Sequence, residues 1–242
     1  VAMNHLTAAA TFGMGSLALW LASAVVGSAA VPAISSAAPV DIFYNASSPG
    51  DVQFGYRIVA TGSPTAFEAA GLPPGATLDR ATGWISGTRN APGIYDVAVC
   101  ATNADGVGTA TVRLAIHATA TGVMSSRGLF QAGQSFTFTV RYNAPVTVTG
   151  VPSLALVIGA AAAPTFKSAV YFSGSGTTEL VFRYVVAGGD LDLDGVQLLP
   201  SAPVGGTICD VSGLTAVSSL PLRHFVSGIK IVGVTQSVAM RP

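Results

Sequence analysis

In "GIYDVAVCATN", residues 93 to 103, Tyr95, Val97, Val99 and Ala101 alternate with Asp96, Ala98, Cys100 and Thr102. Side chains two apart share one face of an extended chain, so the pattern describes a strand with one buried face. "GTATVRLAIHA" repeats it through Ala110, Val112, Leu114 and Ile116, and "NADGVG" between them supplies residues that tolerate positive φ. The pair therefore predicts a β-hairpin. The same period recurs at Phe136, Phe138 and Val140, and at Leu180, Phe182, Tyr184 and Val186, within strand pairs separated by Pro, Asn and Gly turns. A chain of 242 residues is longer than one β-sandwich of roughly 100 residues, which predicts two all-β units and an extra segment.

The extra segment is the start. Residues 1 to 31 are Ala, Leu, Val and Gly-rich, with His5 the one ionisable side chain, and residues 6 to 30 are long enough as a helix to cross a bilayer. A signal peptide has a similar apolar region, but Val1 leads and the first turns hold no Lys or Arg. Gly13, Gly15 and Gly27 make a smooth surface that suits packing against protein, either as a helix or as a donated strand. A membrane partner follows only if residues 6 to 30 span one.

Charge narrows the partners. Only 9% of residues are charged and the net charge is zero. Lys167 and Lys230 are the only lysines and the nine arginines are scattered, so no phosphate-tracking stripe exists and nucleic acid is excluded as a partner. A charge-poor surface is explained either by burial among other copies of the chain or by a neutral Thr, Ser and Gly coat.

The order "PAISS", "YRIVATGSPTAFEAAGLPPGATLDRATGWISGT" and "APGIYDVAVCATNADGVGTATVRLAI" resembles the immunoglobulin-like domains, related to cadherin-like modules, of bacterial surface proteins. The acidic inter-domain calcium motifs of cadherins are missing. "AGQSFTFTV", "VTVTGVPSLAL", "YFSGSGTTELVFRYVV" and "GDLDLDG" resemble a second immunoglobulin-like repeat of such proteins, where repeats of this kind are tandem spacers. Composition sets off the apolar segment at 1–31, and the resemblances imply a cadherin-like domain at 32–120 and a second domain at 121–233, with a tail at 234–242. It also implies an extracellular or cell-surface location.

Asp190, Asp192 and Asp194 alternate ahead of Gly195, an oxygen-donor set that suits calcium if the carboxylates converge in a loop. No closing acid follows before Asp210, and the alternative is three solvated carboxylates that discourage edge pairing. No other cofactor is required by the residues present. Cys100 and Cys209 predict a bridge between domains or between subunits, or else two separate buried thiols. His5, His117 and His224 stand apart from any nucleophile or metal-spaced partner, and His117 and His224 read as surface or loop residues. "SGSG" at 173 to 176 is a turn, so the chain does not read as an enzyme. Arg57, Arg113, Arg141 and Arg183 read as outward strand residues. Trp84 suits a sugar-stacking platform, but the family pattern places it in the core.

Two functions emerge as expectations. One is a structural subunit of an extracellular filament or surface layer, a homopolymer joined through the apolar start, with "GIKIVGVTQSVAMRP" as a further donor strand. The other is a surface adhesin or carbohydrate-binding module with a glycan or cell-surface ligand.

Overall fold

A computed structural model of the chain describes residues 30–36, 39–42, 53–88, 91–159, 163–218, 225–226 and 228–233. The expected assembly segment lies outside these residues apart from Ala30 and Val31, as do the tail at 234–242, His5 and His224. Among the described residues all regular structure is β, and no helix is long and apolar enough to cross a membrane.

The N-terminal unit contains β1 (Val40–Ile42), β2 (Gln53–Arg57), β3 (Ala66–Ala70), β4 (Thr77–Asp79), β5 (Trp84–Thr88), β6 (Gly93–Asn103) and β7 (Gly106–Ile116). Its four-stranded sheet runs β1-β7-β6-β3 and its three-stranded sheet β2-β5-β4. Phe54, Tyr56 and Ile85 from the smaller sheet meet Phe67, Val97, Val99, Ala101, Val112, Leu114 and Ile116 from the larger one in a single apolar cluster. The inward phase is the one the alternation predicts.

The β6-β7 hairpin is present and its turn has a specific cause. Asn103 pairs with Gly106 in register, and the Asn103 Oδ1 accepts the amides of Asp105 at 2.9 Å and Gly106 at 3.1 Å. Gly106 adopts φ 151°, a conformation that favours glycine. The same Asn103 amide donates to the carbonyls of Ala30 and Gly62, tying the incoming chain to the hairpin tip.

The C-terminal unit holds β8 (Ala120–Ser125), β9 (Gly128–Gln131), β10 (Ser135–Ile158), β11 (Thr165–Ser173), β12 (Thr177–Val185), β13 (Leu191–Asp192), β14 (Gln197–Leu198), β15 (Val204–Asp210), β16 (Phe225–Val226) and β17 (Ile229–Val232). A seven-stranded sheet built around β10 faces a three-stranded sheet, β13-β17-β9. Phe136, Phe138, Leu180, Phe182 and Tyr184 fill the space between them with Ile229 and Ile231. Edge-to-face pairs of Phe136 with Phe138 and of Tyr171 with Phe182 add to the apolar burial.

Two expectations are corrected here. Asn143 and Pro145 do not form a turn: β10 continues through them, with a register shift against β12 between Arg141 and Val146. Proline is tolerated where ladder pairing lapses, and the Asn143 Oδ1 accepts the Thr119 amide at 2.8 Å, standing in for a strand partner. The "GIKIV" segment is not free for donation to a neighbour. Ile229–Val232 pairs with β9 and β13 of its own unit, and Ile229 and Ile231 are fully buried.

Candidate functional site

The place where the two apolar clusters meet is built from very few residues. Ile116 belongs to the first cluster and Ala118 to the second, so His117 alone separates them. One residue advances the chain by at most about 3.6 Å, which leaves no slack for a flexible linker. His117 is only 6% exposed, correcting the surface placement expected of it. Its Nδ1 lies 2.8 Å from the Thr215 carbonyl oxygen; a carbonyl only accepts, so Nδ1 carries the proton.

The following residues are bonded in series. Ala118 donates its amide to the Asp210 Oδ2 at 3.4 Å and its carbonyl accepts the Val217 amide at 2.7 Å. Ala120 donates to the Val217 carbonyl at 2.9 Å, and Thr119 and Asn143 exchange bonds. The Asp210 Oδ1 accepts the amides of Ser212 and Leu214, shaping the turn that presents Thr215. Behind it the Tyr142 hydroxyl meets Ser218 at 2.8 Å, and burial, opposed by that hydrogen bond, leaves its pKa pushed up to about 12. Asp210 was legible in "CDVSG", where an acid two residues before Ser-Gly signals an Asx turn.

Of the three alternating aspartates, Asp192 and Asp194 lie close enough to interact, while Asp190 is engaged by a separate set of donors. The buried Asp190 carboxylate accepts the Tyr184 hydroxyl at 2.7 Å and the Ala187 amide at 2.8 Å, with Lys167 at 3.3 Å. Burial pushes its pKa up, but those donors outweigh burial and hold it below the usual carboxylate value, while burial and Asp190 together raise the Tyr184 phenol. Asp192 is also buried; its two oxygens accept the amides of Gly195 at 2.6 Å and Gly159 at 2.9 Å. Burial, reinforced by the neighbouring Asp194, raises its pKa against those bonds. Asp194 is exposed. Among the described residues no group of three His, Cys, Asp or Glu side chains is placed to hold a metal ion.

Cys100 and Cys209 are both half-buried free thiols, one in each unit, and they form no bond with each other. Arg113 pairs with Asp96 at 2.7 Å and Arg141 with Glu179 at 2.7 Å, while Arg183 lies 4.0 Å over the Phe172 ring. These are outward strand positions, as expected.

Trp84 is the main departure. It is 46% exposed, on the outer face of β5, while its neighbour Ile85 takes the core position. A Cβ built on Gly55 would stand 2.6 Å from the Trp84 Cζ2, so the indole lies across a gap that only glycine leaves open.

Residues 23–117 match the family model described as "Putative Ig domain". The N-terminal unit is an Ig-like domain. Among solved structures, a "putative alpha-galactosidase" from Bacteroides fragilis is 31% identical over 35% of this chain and 17% of its own length, with a TM-score of 0.31. The chain thus spans less than a fifth of that protein. A three-domain titin fragment, I67-I69, is 10% identical over 83% of this chain and 65% of its own, with a TM-score of 0.35. An endo-fucoidan hydrolase of glycoside hydrolase family 107 is 14% identical over 74% of this chain and 30% of its own, at a TM-score of 0.24. No curated protein matches the chain.

Proposed function

We propose that the chain is a non-catalytic structural spacer of a bacterial cell-surface or extracellular protein, in which the Ig-like unit and the β unit after it act as one stiff segment. The single-residue junction carries this reading. The bonds to Thr215, Asp210 and Val217 fix His117 and Ala118 to the second unit, so rotation between the units is left to the few backbone torsions at Ile116 and His117. A stiff tandem transmits position and force, which is what a stalk or the outer part of a filament needs. Low charge suits such a role, since a spacer makes no demand for a charged binding face. Assembly into a homopolymer through residues 6–30 is a finer version of the same reading and is supported by their apolar composition alone.

The native cysteines offer the test, one in each unit. Spin labels on Cys100 and Cys209 of the full chain report the inter-unit distance distribution by pulsed electron paramagnetic resonance. A narrow single distribution is expected. A broad one, like that of beads on a flexible string, overturns the spacer reading.

A further inference from the structure

The outer face of the β2-β5-β4 sheet carries an exposed tryptophan among polar neighbours. In register, Trp84 stands between Arg57 on β2 and Asp79 on β4, and Ser86 stands between Gly55 and Thr77. Arg57, Asp79, Thr77 and Gly55 are exposed with Trp84. One aromatic plane is therefore framed by a guanidinium, a carboxylate and hydroxyls, at cross-strand spacings of about 5 Å.

The ring is held in place. The indole is seated over Gly55, close to the β2 backbone, and its other side is open to solvent. Asp79 is fixed as well, because its Oδ1 accepts the amides of Ala81 at 2.9 Å and Thr82 at 3.3 Å in the turn before Trp84. A shallow depression of about 440 Å³, lined by Arg57, Thr82 and the apolar Val59, Ala60, Pro64 and Phe67 among others, shares Arg57 with this face.

The chemistry selects the occupant. A protein partner held by apolar contact needs a broad contiguous greasy patch, whereas beside Trp84 the outward phase of β2 continues only to Val59 as a second large exposed apolar side chain. A pyranose ring needs the opposite: one flat apolar plane for its C–H face and a surrounding set of donors and acceptors for its hydroxyls. We propose that this face of the Ig-like unit is a carbohydrate-binding platform, in which Trp84 stacks on a sugar ring and Arg57 and Asp79 bond to its hydroxyls. The depression beside Arg57 would take the next sugar of a chain. The inference is independent of the spacer reading, since a stiff or a flexible tandem could carry it equally.

Affinity electrophoresis of the full chain through gels containing hydroxyethylcellulose, xylan, galactomannan or alginate tests it. At least one polysaccharide should retard the native chain. Trp84→Ala should weaken that retardation by about tenfold, Trp84→Tyr should restore part of it, and Arg57→Ala should weaken it with the thermal midpoint unchanged. Because Trp84 is half-exposed, its loss should leave folding intact, checked by the same melts. Passage of the native chain unretarded through all four gels overturns the proposal, as does retardation that Trp84→Ala leaves unaltered. Sedimentation velocity separates the other occupant: self-association abolished by Trp84→Ala would assign the face to a second copy and also overturn it.

Discussion

His117 Nδ1 donates to the carbonyl oxygen of Thr215 across 2.8 Å, joining the last side chain of one unit to the backbone of the next. His117→Ala removes the donor and leaves the carbonyl of Thr215, an exposed residue, to water. A loss of about 0.5 to 1.5 kcal/mol at the junction is expected. The measurable result is a broader distance distribution between labels on Cys100 and Cys209, with each unit's own melt little changed. An unchanged distribution would show that Ala118 and Val217 suffice to hold the units.

Asp190 and Asp192 predict opposite responses to pH. Asp190 is ionised more readily in the fold than in the unfolded chain, so its contribution is present above about pH 4 and lost as pH falls through its lower folded value. Asp192 is ionised less readily in the fold, so its contribution is full below about pH 4 and declines as pH rises through its raised folded value. In thermal melts from about pH 3 to about pH 7, the gap between the native chain and Asp190→Asn should widen with pH. The gap for Asp192→Asn should narrow. Parallel curves would mean that neither carboxylate is perturbed.

Calcium gives a separate reading of the same loop. Both oxygens of Asp192 accept backbone amides and Asp190 is engaged by Tyr184 and Lys167, so an ion would have to displace bonds already made. Melts in millimolar calcium and in excess chelator should coincide. A rise in the midpoint with calcium would show that Asp194 recruits the other two into a site the unliganded loop does not form.

The alternation of Val97, Val99 and Ala101 made the central hairpin readable because a period of two has one interpretation when polar residues fill the other phase. "TGWISGT" did not have that property. Trp84 and Ile85 are adjacent and both apolar, so only one can face inward, and the choice depends on which meets Phe67, Val97 and Val99 across the sandwich. The strand character of "GIKIV" was legible, but its parallel pairing with Gly128–Gln131 joins segments far apart in sequence, and no local signal specifies such a partner. Asp190 and Asp192 were singled out for their acidity. Their role as acceptors for loop amides depends on burial, which three alternating acids in sequence do not announce.

Gly108→Ala should loosen the entry of the chain into the Ig-like unit. A Cβ at this position would collide with the Pro32 carbonyl, a backbone atom that no rotamer change can move aside. Residues 30–36 lie along Val59–Thr61, where Ser35 donates to Val59 and Thr61 donates to Ala33, each at 2.9 Å. Displacing them should cost about 1 to 3 kcal/mol, in the range of overpacked cores. Hydrogen exchange should accelerate at Ser35 and Thr61 while Val97 and Val112 stay protected. Uniform acceleration would indicate instead that the whole sandwich depends on this edge.

Two apolar clusters with one residue between them predict energetic independence alongside mechanical coupling. Leu114 and Phe182 are fully buried in different clusters. Leu114→Ala should destabilise the first unit by about 2 to 5 kcal/mol and Phe182→Ala the second by about 3 to 5 kcal/mol. With no shared packing partners, the double variant should equal the sum within about 0.5 kcal/mol. The junction bonds are few and polar, so they resist rotation while adding little to either core. Hydrogen exchange resolved by unit checks this: each variant should release protection in its own unit alone. Loss of protection in both units from either variant would mean that the junction transmits unfolding as well as orientation.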